Sequence, residues 1–310
     1  MTPFNGFVSR YDAPHRGAHE TPRVYLSAYA AMMNLRSRKK PAMVATDEMT
    51  GTPVLIEKDE RGVATVTINR PKVRNAINDE VIRLLTDAFF ILGADAATRI
   101  VVLTGSGAAF SAGADLDWMR RMAACSEMEN FASAKTISTM MRTLNELTKP
   151  TIARVNGPAY AAGVGLVAAC DVVIAAGDVV FSISEVRIGL VPSIVSPYVV
   201  GAIGAKAARR YFLSGEPMSA AEACRLGLVH SVVPRSDLDQ AINEIISALL
   251  AGGPQSQARA KRLIAEVNSR RVDDVVEDLT ARSLAEARAS TEGREGIQAF
   301  LEKRKPVWTR

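Results

Sequence analysis

The sequence predicts an α/β fold in which a largely parallel β-sheet is covered by helices and followed by a helical C-terminal region. Two observations support this fold class. Short, nearly all-apolar runs alternate with helical patterns from Val54 to about residue 197, as expected for parallel strands buried on both faces. Beyond that point the pattern is mostly helical. Of the 310 residues, 48% are apolar and 23% charged, which is ordinary for a globular protein and excludes wholesale disorder.

A β-hairpin is predicted at the start of the regular region. Residues 54–57 and 62–69 alternate between apolar and polar side chains, as in two half-buried strands. Asn78 is the predicted N-cap of the next helix, because Asp79 and Glu80 in its first turn suit the helix dipole. The side chains that this helix is expected to bury follow helical spacing: Val81, Leu85, Ala88, Phe89 and Leu92.

Further elements follow in regular order. Strands are predicted at 99–105, 150–155 and 171–176, a long helix at 126–148, and a short helix of small residues before the last of these strands. Helices are predicted near 235–251, 255–269, 273–290 and 293–303, after a short strand at 228–233. We therefore assign residues 53–252 to a folded core and residues 253–310 to a C-terminal helical region.

The first 52 residues are poorly patterned and rich in Pro, Gly, Arg and Ser. A disordered tail, a start site placed too early (Met43 and Met49 are in frame) and a targeting peptide are the competing interpretations, of which we favour the first two. Residues 1–50 contain 7 Lys or Arg and 4 Asp or Glu, so most of the net charge of +5 resides in this extension. The nearly balanced body does not indicate nucleic-acid binding. No apolar run is long enough to span a membrane, and we expect a cytoplasmic protein, with organellar import left open.

Histidine and cysteine are too sparse for several kinds of chemistry. His230 is the only histidine after the extension, which argues against a Ser-His pair or a multi-histidine metal site, and we expect it to be structural. Cys125, Cys170 and Cys224 are far apart, so we interpret them as buried small hydrophobes in a reducing compartment. No metal and no separate cofactor is predicted.

Two loops rich in small residues, 104–116 and 155–166, each follow a predicted strand. Small residues allow the backbone to approach a ligand, and one N–H from each loop could bind the same carbonyl oxygen as an oxyanion hole. Tight packing is the alternative interpretation. A dinucleotide fingerprint, Gly163-x-Gly165-x-x-Ala168, is rejected because seven residues separate its first glycine from the strand and the helix that follows is too short.

These loops, with Phe181-Ser-Ile-Ser-Glu-Val-Arg-Ile-Gly-Leu-Val-Pro, resemble the crotonase (enoyl-CoA hydratase/isomerase) superfamily. The resemblance covers residues 53–308, from the Asn69-Arg-Pro-Lys-Val-Arg-Asn-Ala segment to the C-terminal motif. It implies a spiral of ββα units, a C-terminal region that serves trimerisation (a homotrimer, or a hexamer formed from two trimers) and an acyl-CoA substrate, with coenzyme A as part of that substrate. Within the superfamily, the sequence is most similar to bacterial methylglutaconyl-CoA and isohexenylglutaconyl-CoA hydratase-like proteins, which suggests branched-chain catabolism.

The resemblance also implies site residues. The two oxyanion amides are those of Ala114 and Ala162. Of the two glutamates of many hydratases, the second corresponds to Glu185, whose apolar neighbours could raise its pKa. The first position is Gly165, which has no side chain. Asp117, or a water held by Ser184 or Ser193, is a hypothesis for how its role is filled.

Substrate and CoA contacts are assigned in the same way. The residues concerned are Arg74, Ala76, Ala112, Gly113, Asp115, Trp118, Gly163, Phe300 and Lys303. Trp118 is expected to line the acyl pocket or pack the helix, in preference to stacking on adenine. In isolation, Phe300 would be read first as core packing and Lys303 as merely exposed. Arg120, Arg121 and Arg187 are candidates for binding a second substrate carboxylate, although a solvated helix face is the alternative for the first two.

The sequence therefore predicts an enzyme that adds water across the 2,3-double bond of an enoyl-CoA. One carboxylate is sufficient for a Δ3–Δ2 enoyl-CoA isomerase, which is the alternative within the fold. The absence of a side chain at Gly165 also leaves open a non-catalytic acyl-CoA-binding protein.

Overall fold

The computed structural model describes residues 51–309, so the predicted N-terminal extension lies outside the described residues except for its last two. The described strands are β1 (Val54–Lys58), β2 (Val63–Ile68), β3 (Ile100–Gly105), β4 (Thr151–Val155), β5 (Ala159–Tyr160), β6 (Val172–Ala176), β7 (Val180–Ser182), β8 (Met218–Ser219) and β9 (Ser231–Val233). The described α-helices are α1 (Asp79–Ala94), α2 (Leu116–Ala123), α3 (Glu127–Asn145), α4 (Ala162–Ala168), α5 (Ser196–Ser214), α6 (Ala220–Leu226), α7 (Leu238–Ala251), α8 (Pro254–Val267), α9 (Asp274–Ala289) and α10 (Thr291–Leu301).

The main sheet has six strands in the order β1-β2-β3-β4-β6-β9. The β1–β2 hairpin is antiparallel, and every other neighbouring pair in this sheet is parallel. All six residues of β3 are buried, because helices cover the sheet and leave no solvated face there. The predicted α/β class with a parallel sheet is confirmed.

Helix α1 forms where the sequence predicts it. The side-chain oxygen of Asn78 accepts a hydrogen bond from the Val81 N–H at 3.0 Å, which satisfies one of the free donors of the first turn. All five side chains of the predicted apolar face are buried against the sheet. The predicted helix at 126–148 is α3, and Ser126 and Glu129 cap it reciprocally.

A second, smaller sheet lies next to the first, in the order β5-β7-β8. Its strands are only two or three residues long, too short to show an alternation in the sequence. Strand β5 pairs in parallel with β7 and bridges Ser111 through Ala159. This sheet therefore joins the two small-residue loops to the segment that precedes Glu185.

Polar contacts join the C-terminal helices to each other and to the core. Glu292 is only 8% exposed, and its carboxylate accepts hydrogen bonds from the N–H groups of Gln255 and Ser256 in the first turn of α8. The Arg99 guanidinium, next to β3, donates to the carbonyl oxygens of Gly252 and Trp308. Within residues 51–309, no helix is both long enough and apolar enough to cross a membrane.

Candidate active site

The structure brings three segments together: the loop 111–115, the turn that leads into α4, and the segment that carries Glu185. Tyr160 donates its N–H to the Ser111 carbonyl oxygen at 2.9 Å, and Ala161 donates to the Ser182 carbonyl oxygen at 2.9 Å. The middle segment therefore contacts the other two through backbone hydrogen bonds. The loops predicted to share one site do lie together.

Glu185 begins a short 3-10 helix, Glu185–Ile188, directly after β7 and the buried Ile183. One carboxylate oxygen, Oε2, is buried and has no hydrogen-bond partner. Among residues 51–309, no other Asp or Glu has an oxygen in this state. Because burial disfavours the charged form, the pKa of Glu185 is raised above its ordinary value, as its apolar neighbours predict. A carboxylate with a raised pKa and one buried, unpartnered oxygen is suited to accept and return a proton.

Ala114 is held by hydrogen bonds on either side of it. Ile77 donates its N–H to the Gly113 carbonyl oxygen at 2.7 Å, and the Asp115 N–H donates to the Ile77 carbonyl oxygen at 2.9 Å. Ile77 and Ala114 therefore form a parallel bridge. In such a bridge the N–H of the central residue points away from its partner. The Ala114 N–H accordingly points away from Ile77 and is not used by that pairing.

Ala162 is the first residue of α4, and Ala161 precedes it with φ +48° and ψ −114°. Such a positive φ strains any residue with a side chain, at a cost of about 1–3 kcal/mol. The turn reverses the chain between β5 and α4, and as the first N–H of the helix the Ala162 N–H has no partner within it. A methyl group on Gly113 would lie 3.1 Å from the Ala161 Cβ, so residues 113 and 161 are in close contact. Ala114 and Ala162 thus directly follow two residues that touch.

Gly165 lies inside α4, and the space beside it is filled. A Cβ at this position would lie 2.4 Å from Cγ1 of Val195 and 3.0 Å from Cε of Met141. Val195 and Met141 are both buried. A glutamate at 165 could not be accommodated unless these side chains moved. Helix α4 has seven residues, which agrees with the rejection of a dinucleotide-binding helix.

Asp117 and Ser193, two of the groups considered as replacements for the first glutamate, have other contacts, and so does the neighbouring Asp115. Asp115 caps α2 through the Asp117 and Trp118 N–H groups and pairs with Arg70 at 2.9 Å. Asp117 has a 78% exposed side chain and pairs with Arg120 at 2.5 Å. Ser193 donates a long bond of 3.4 Å to the Val191 carbonyl oxygen. None of these contacts points to a second acid or base.

Trp118 packs against the core, with 8% of its surface exposed, and its indole N–H donates to the Asp79 carboxylate at 2.8 Å. Of its two predicted roles, the structure supports packing of the helix.

The cations proposed for a second substrate carboxylate have other contacts. Arg120 is paired with Asp117, and Arg121 lies 3.4 Å from an oxygen of Asp79, both on an exposed face.

Arg187, the third of these cations, packs against Gly215. A Cβ on Gly215 would lie 3.0 Å from Nε of Arg187. This Nε donates to the Ser214 carbonyl oxygen at 3.4 Å. The guanidinium is therefore directed toward the end of α5.

The predicted CoA-binding segment lies next to the loop 111–115. Arg74 is exposed, Ala76 is buried, and the Arg74 carbonyl oxygen accepts from the Ala112 N–H at 2.8 Å. Gly163 packs on Ser111, whose Cβ would lie 3.0 Å from a methyl group at 163.

At the other end of the chain, Phe300 and Lys303 lie on the exposed end of α10. Phe300 is 83% exposed, so the alternative of core packing is wrong for this residue within one chain. Lys303 has a left-handed backbone, with φ 54°, just after the helix. Both side chains are exposed in the single chain.

His230 has a structural role. Its side-chain Nδ1 accepts a hydrogen bond from the Val173 N–H at 3.0 Å, and its backbone N–H donates to the Val173 carbonyl oxygen. These bonds extend the pairing of β6 with β9. Among residues 51–309, no group of three His, Cys, Asp or Glu side chains is placed to hold a metal ion.

The cysteines were all predicted to be buried, but only Cys170 is; Cys125 and Cys224 are half-buried. Burial, with the nearby Asp171 carboxylate, raises the pKa of the Cys170 thiol, which makes it unreactive.

Comparisons with known proteins agree with this arrangement. Residues 58–310 match the family model described as enoyl-CoA hydratase/isomerase. The crotonyl-CoA hydratase of Syntrophomonas wolfei is 32% identical over 81% of this chain and 96% of its own length. The 2,3-dehydroadipyl-CoA hydratase of Escherichia coli is 31% identical over 81% of this chain and 97% of its own length. The crystal structure of an enoyl-CoA hydratase from Shewanella pealeana is 36% identical, covers 83% of this chain and 96% of that one, and has a TM-score of 0.80.

Proposed function

The chain belongs to the enoyl-CoA hydratase/isomerase family, and on this basis we propose that it adds water reversibly across the 2,3-double bond of an acyl-CoA thioester. The observation that carries the proposal is the buried, unpartnered Oε2 of Glu185. A carboxylate in this setting is the natural acid and base of the site. Burial raises its pKa, which makes the protonated form easier to populate and to use as a proton donor.

In the proposed reaction, the Glu185 carboxylate takes a proton from water as the water oxygen forms a bond to C3. The π electrons move through C2 onto the thioester oxygen and form an enolate. Glu185 then returns the proton to C2 and the carbonyl re-forms, so that atoms and charge balance with one carboxylate. The N–H groups of Ala114 and Ala162 hold the enolate oxygen, and the loss of one such donor typically lowers kcat by about 100- to 1,000-fold.

Δ3–Δ2 enoyl-CoA isomerisation is the second candidate, and the packing at Gly165 favours it. Val195 and Met141 fill the space where a second carboxylate would stand. Transfer of a proton from C2 to C4 or the reverse needs one carboxylate and no held water. A protein that binds acyl-CoA without catalysis is a third possibility, and Glu185 argues against it.

The substrate contacts are part of the proposal. Arg74, with the backbone at Ala76, Ala112 and Gly113, lies beside the oxyanion loop and would bind the CoA moiety. The exposed Phe300 and Lys303 would contact the CoA bound to a neighbouring copy of the chain in a homotrimer, or in a hexamer of two trimers. Arg120 and Arg121 are each paired with an aspartate, so neither is assigned to a second substrate carboxylate. The methylglutaconyl-CoA branch and a cytoplasmic location stay predictions.

The test is to incubate the protein separately with 2-enoyl-CoA and 3-enoyl-CoA and to follow the conjugated-enoyl absorbance and the products. Hydration removes the absorbance of the 2-enoyl substrate and yields 3-hydroxyacyl-CoA, whereas isomerisation creates that absorbance from the 3-enoyl substrate. We expect hydration, and we expect Glu185→Gln to lower kcat by at least about 100-fold, because general acid–base catalysis contributes on this scale.

Glu60→Gln is the matched control, because Glu60 is an exposed carboxylate in the turn between β1 and β2. It is expected to leave kcat unchanged. Full activity in Glu185→Gln would contradict the role of that residue. Activity only with 3-enoyl-CoA would establish the isomerase instead, and tight binding without turnover of either substrate would indicate the non-catalytic protein.

A further inference from the structure

The oxyanion loop 111–115 is interlocked with a second loop, residues 70–77, to which the sequence assigns only CoA contacts. The Ser111 hydroxyl donates to the Asn75 carbonyl oxygen at 2.9 Å, and the Ala112 N–H donates to the Arg74 carbonyl oxygen at 2.8 Å. The hydrogen bonds of Ile77 on either side of Ala114 continue this row. The position of the Ala114 N–H therefore depends on how the 70–77 loop is held.

An ion pair closes the junction between the two loops. The Arg70 guanidinium lies 2.9 Å from the Asp115 carboxylate, and the two side chains are only 21% and 13% exposed. Arg70 also donates to the Ala76 carbonyl oxygen. Burial alone would raise the pKa of Asp115, but the hydrogen bonds from the Trp118 N–H and from Arg70 hold it below its ordinary value. Asp115 is thus charged at neutral pH and directly follows Ala114.

The 70–77 loop has an unusual backbone of its own. Arg74 and Asn75 both have left-handed φ values, 52° and 58°, although neither is glycine. Such strain persists only where the surroundings impose it. The Asn75 side chain is completely buried, donates to the carbonyl oxygens of Ser106 and Ala109 at 2.8 and 2.7 Å, and accepts from the Arg70 N–H at 2.9 Å.

We propose that Arg70 and Asp115, supported by Asn75, are positioning residues that fix the Ala114 N–H against the substrate carbonyl. This inference rests on the proposed function, since it needs an oxyanion hole at Ala114. The two loops form one unit, so the segment that would bind CoA also sets the amide that polarises the thioester. The Asp115 carboxylate acts on the protein and not on the substrate.

The test uses one substitution on each side of the ion pair; the substitution of Arg70 also removes its hydrogen bond to the Ala76 carbonyl oxygen. Asp115→Asn preserves a good cap for α2, since Asn and Asp cap equally well. Arg70→Met removes the guanidinium. Each change has its own control. Asp273→Asn is the control for Asp115→Asn, because it alters the carboxylate that caps α9. Arg83→Met is the control for Arg70→Met, because it removes an arginine paired with Asp87 on the surface of α1.

Two readouts separate positioning from general damage. The first is the ¹³C shift of a bound acyl-CoA labelled at the thioester carbonyl, which reports how strongly the oxyanion donors polarise it. The second is the division of the effect between kcat and KM. For Arg70→Met and Asp115→Asn we expect a smaller shift on binding, a kcat about 10- to 100-fold lower, and KM within about threefold, as small misplacements do at reacting groups. The double variant should be no worse than the worse single variant.

Each other outcome overturns the proposal or an earlier step. An unchanged carbonyl shift and kcat in both variants would show that the ion pair does not position Ala114. A raised KM with kcat unchanged would assign Arg70 to CoA binding instead. If the wild-type protein itself does not shift the carbonyl, the oxyanion hole of the proposed function is wrong and not merely its support. If Arg70→Met does not fold, Asp115→Asn decides alone.

Discussion

At the scale of single residues, the properties of Glu185 come from a conflict between packing and charge. The residues before it in sequence, Phe181 and Ile183, are buried in the core, whereas Ile188 after it is exposed, and only one oxygen of the carboxylate, Oε2, is buried without a partner. Water is removed from Oε2 and no protein donor replaces it. Such a group costs folding free energy when it is charged, which is common at catalytic positions.

Glu185→Gln is therefore expected to stabilise the fold at neutral pH. The pKa of Glu185 is raised in the folded state by burial, so the folded protein binds more protons than the unfolded chain in the window above the ordinary carboxylate pKa. Its contribution to stability is intact below that value and is lost as pH rises through the folded pKa. The free energy of unfolding of wild type and variant, from urea denaturation at about pH 4 to 8, should be similar at the acid end and diverge as pH rises.

Glu60→Gln again provides the comparison, since Glu60 is exposed. Its difference from the wild type should not grow with pH. A Glu185→Gln protein that is less stable than the wild type throughout the range would mean that the charged carboxylate has a partner in solution.

At the scale of elements, the sequence predicts what depends on local pattern and misses what depends on distant contact. The apolar faces of α1 and the alternation of β1 and β2 repeat within a few residues, and these elements form as expected. Strands β5, β7 and β8 are too short for any period, and only the tertiary structure reveals their sheet. The positive φ of Ala161 could not be predicted, because the residue is not a glycine.

The same division applies to the site. Glu185 and the two loops were predicted because a family motif carries them, and these segments do come together. Arg70 and Asn75 were missed as supports, since their partners Asp115, Ser106 and Ala109 lie more than 30 positions away and show no spacing signal. The sign that the sequence offered was Asn75, next to Arg74 in the segment that begins at Asn69. The sequence shows no sign of the contact between Val195 and Gly165, because that contact depends on how α5 packs against α4.

Gly165→Ala is expected to destabilise the protein despite the higher helix propensity of alanine. The new methyl group would lie 2.4 Å from Cγ1 of Val195, so either helix α4 or the chain at Val195 must shift, at a cost of about 1–3 kcal/mol. Val195→Ala would make room, and the double variant should recover most of the loss. A double-mutant cycle of unfolding free energies measures this coupling.

Gly201→Ala is the control for propensity, because a Cβ at Gly201 in α5 would have nothing within 4 Å. This change should raise stability by about 0.5–1 kcal/mol. If Gly165→Ala behaves like Gly201→Ala, the space at 165 is open, and the site could accept a second carboxylate there.

At the scale of the whole molecule, the C-terminal helices have an outer surface that a single chain leaves uncovered. They carry exposed apolar side chains on α8, α9, α10 and the links between them: Ile264, Val272, Val275, Leu284, Ile297, Phe300 and Leu301. This concentration of exposed apolar side chains in one region favours an interface there. Glu292 joins α10 to α8, and Arg99 ties Gly252 and Trp308 to the start of β3.

We expect the mass measured by sedimentation to be three times that of one chain, or six times for two trimers. Phe300→Asp with Leu301→Asp should shift the mass toward one chain, because two charges would have to be buried at the interface without partners. Activity should fall with the mass, since Phe300 and Lys303 are proposed to contact the CoA of a neighbouring copy. Leu213→Asp, a charge at a 78% exposed leucine near the end of α5, is the control and should change neither property. A fully active single chain would show that the site is complete within one copy and that the C-terminal surface has another partner.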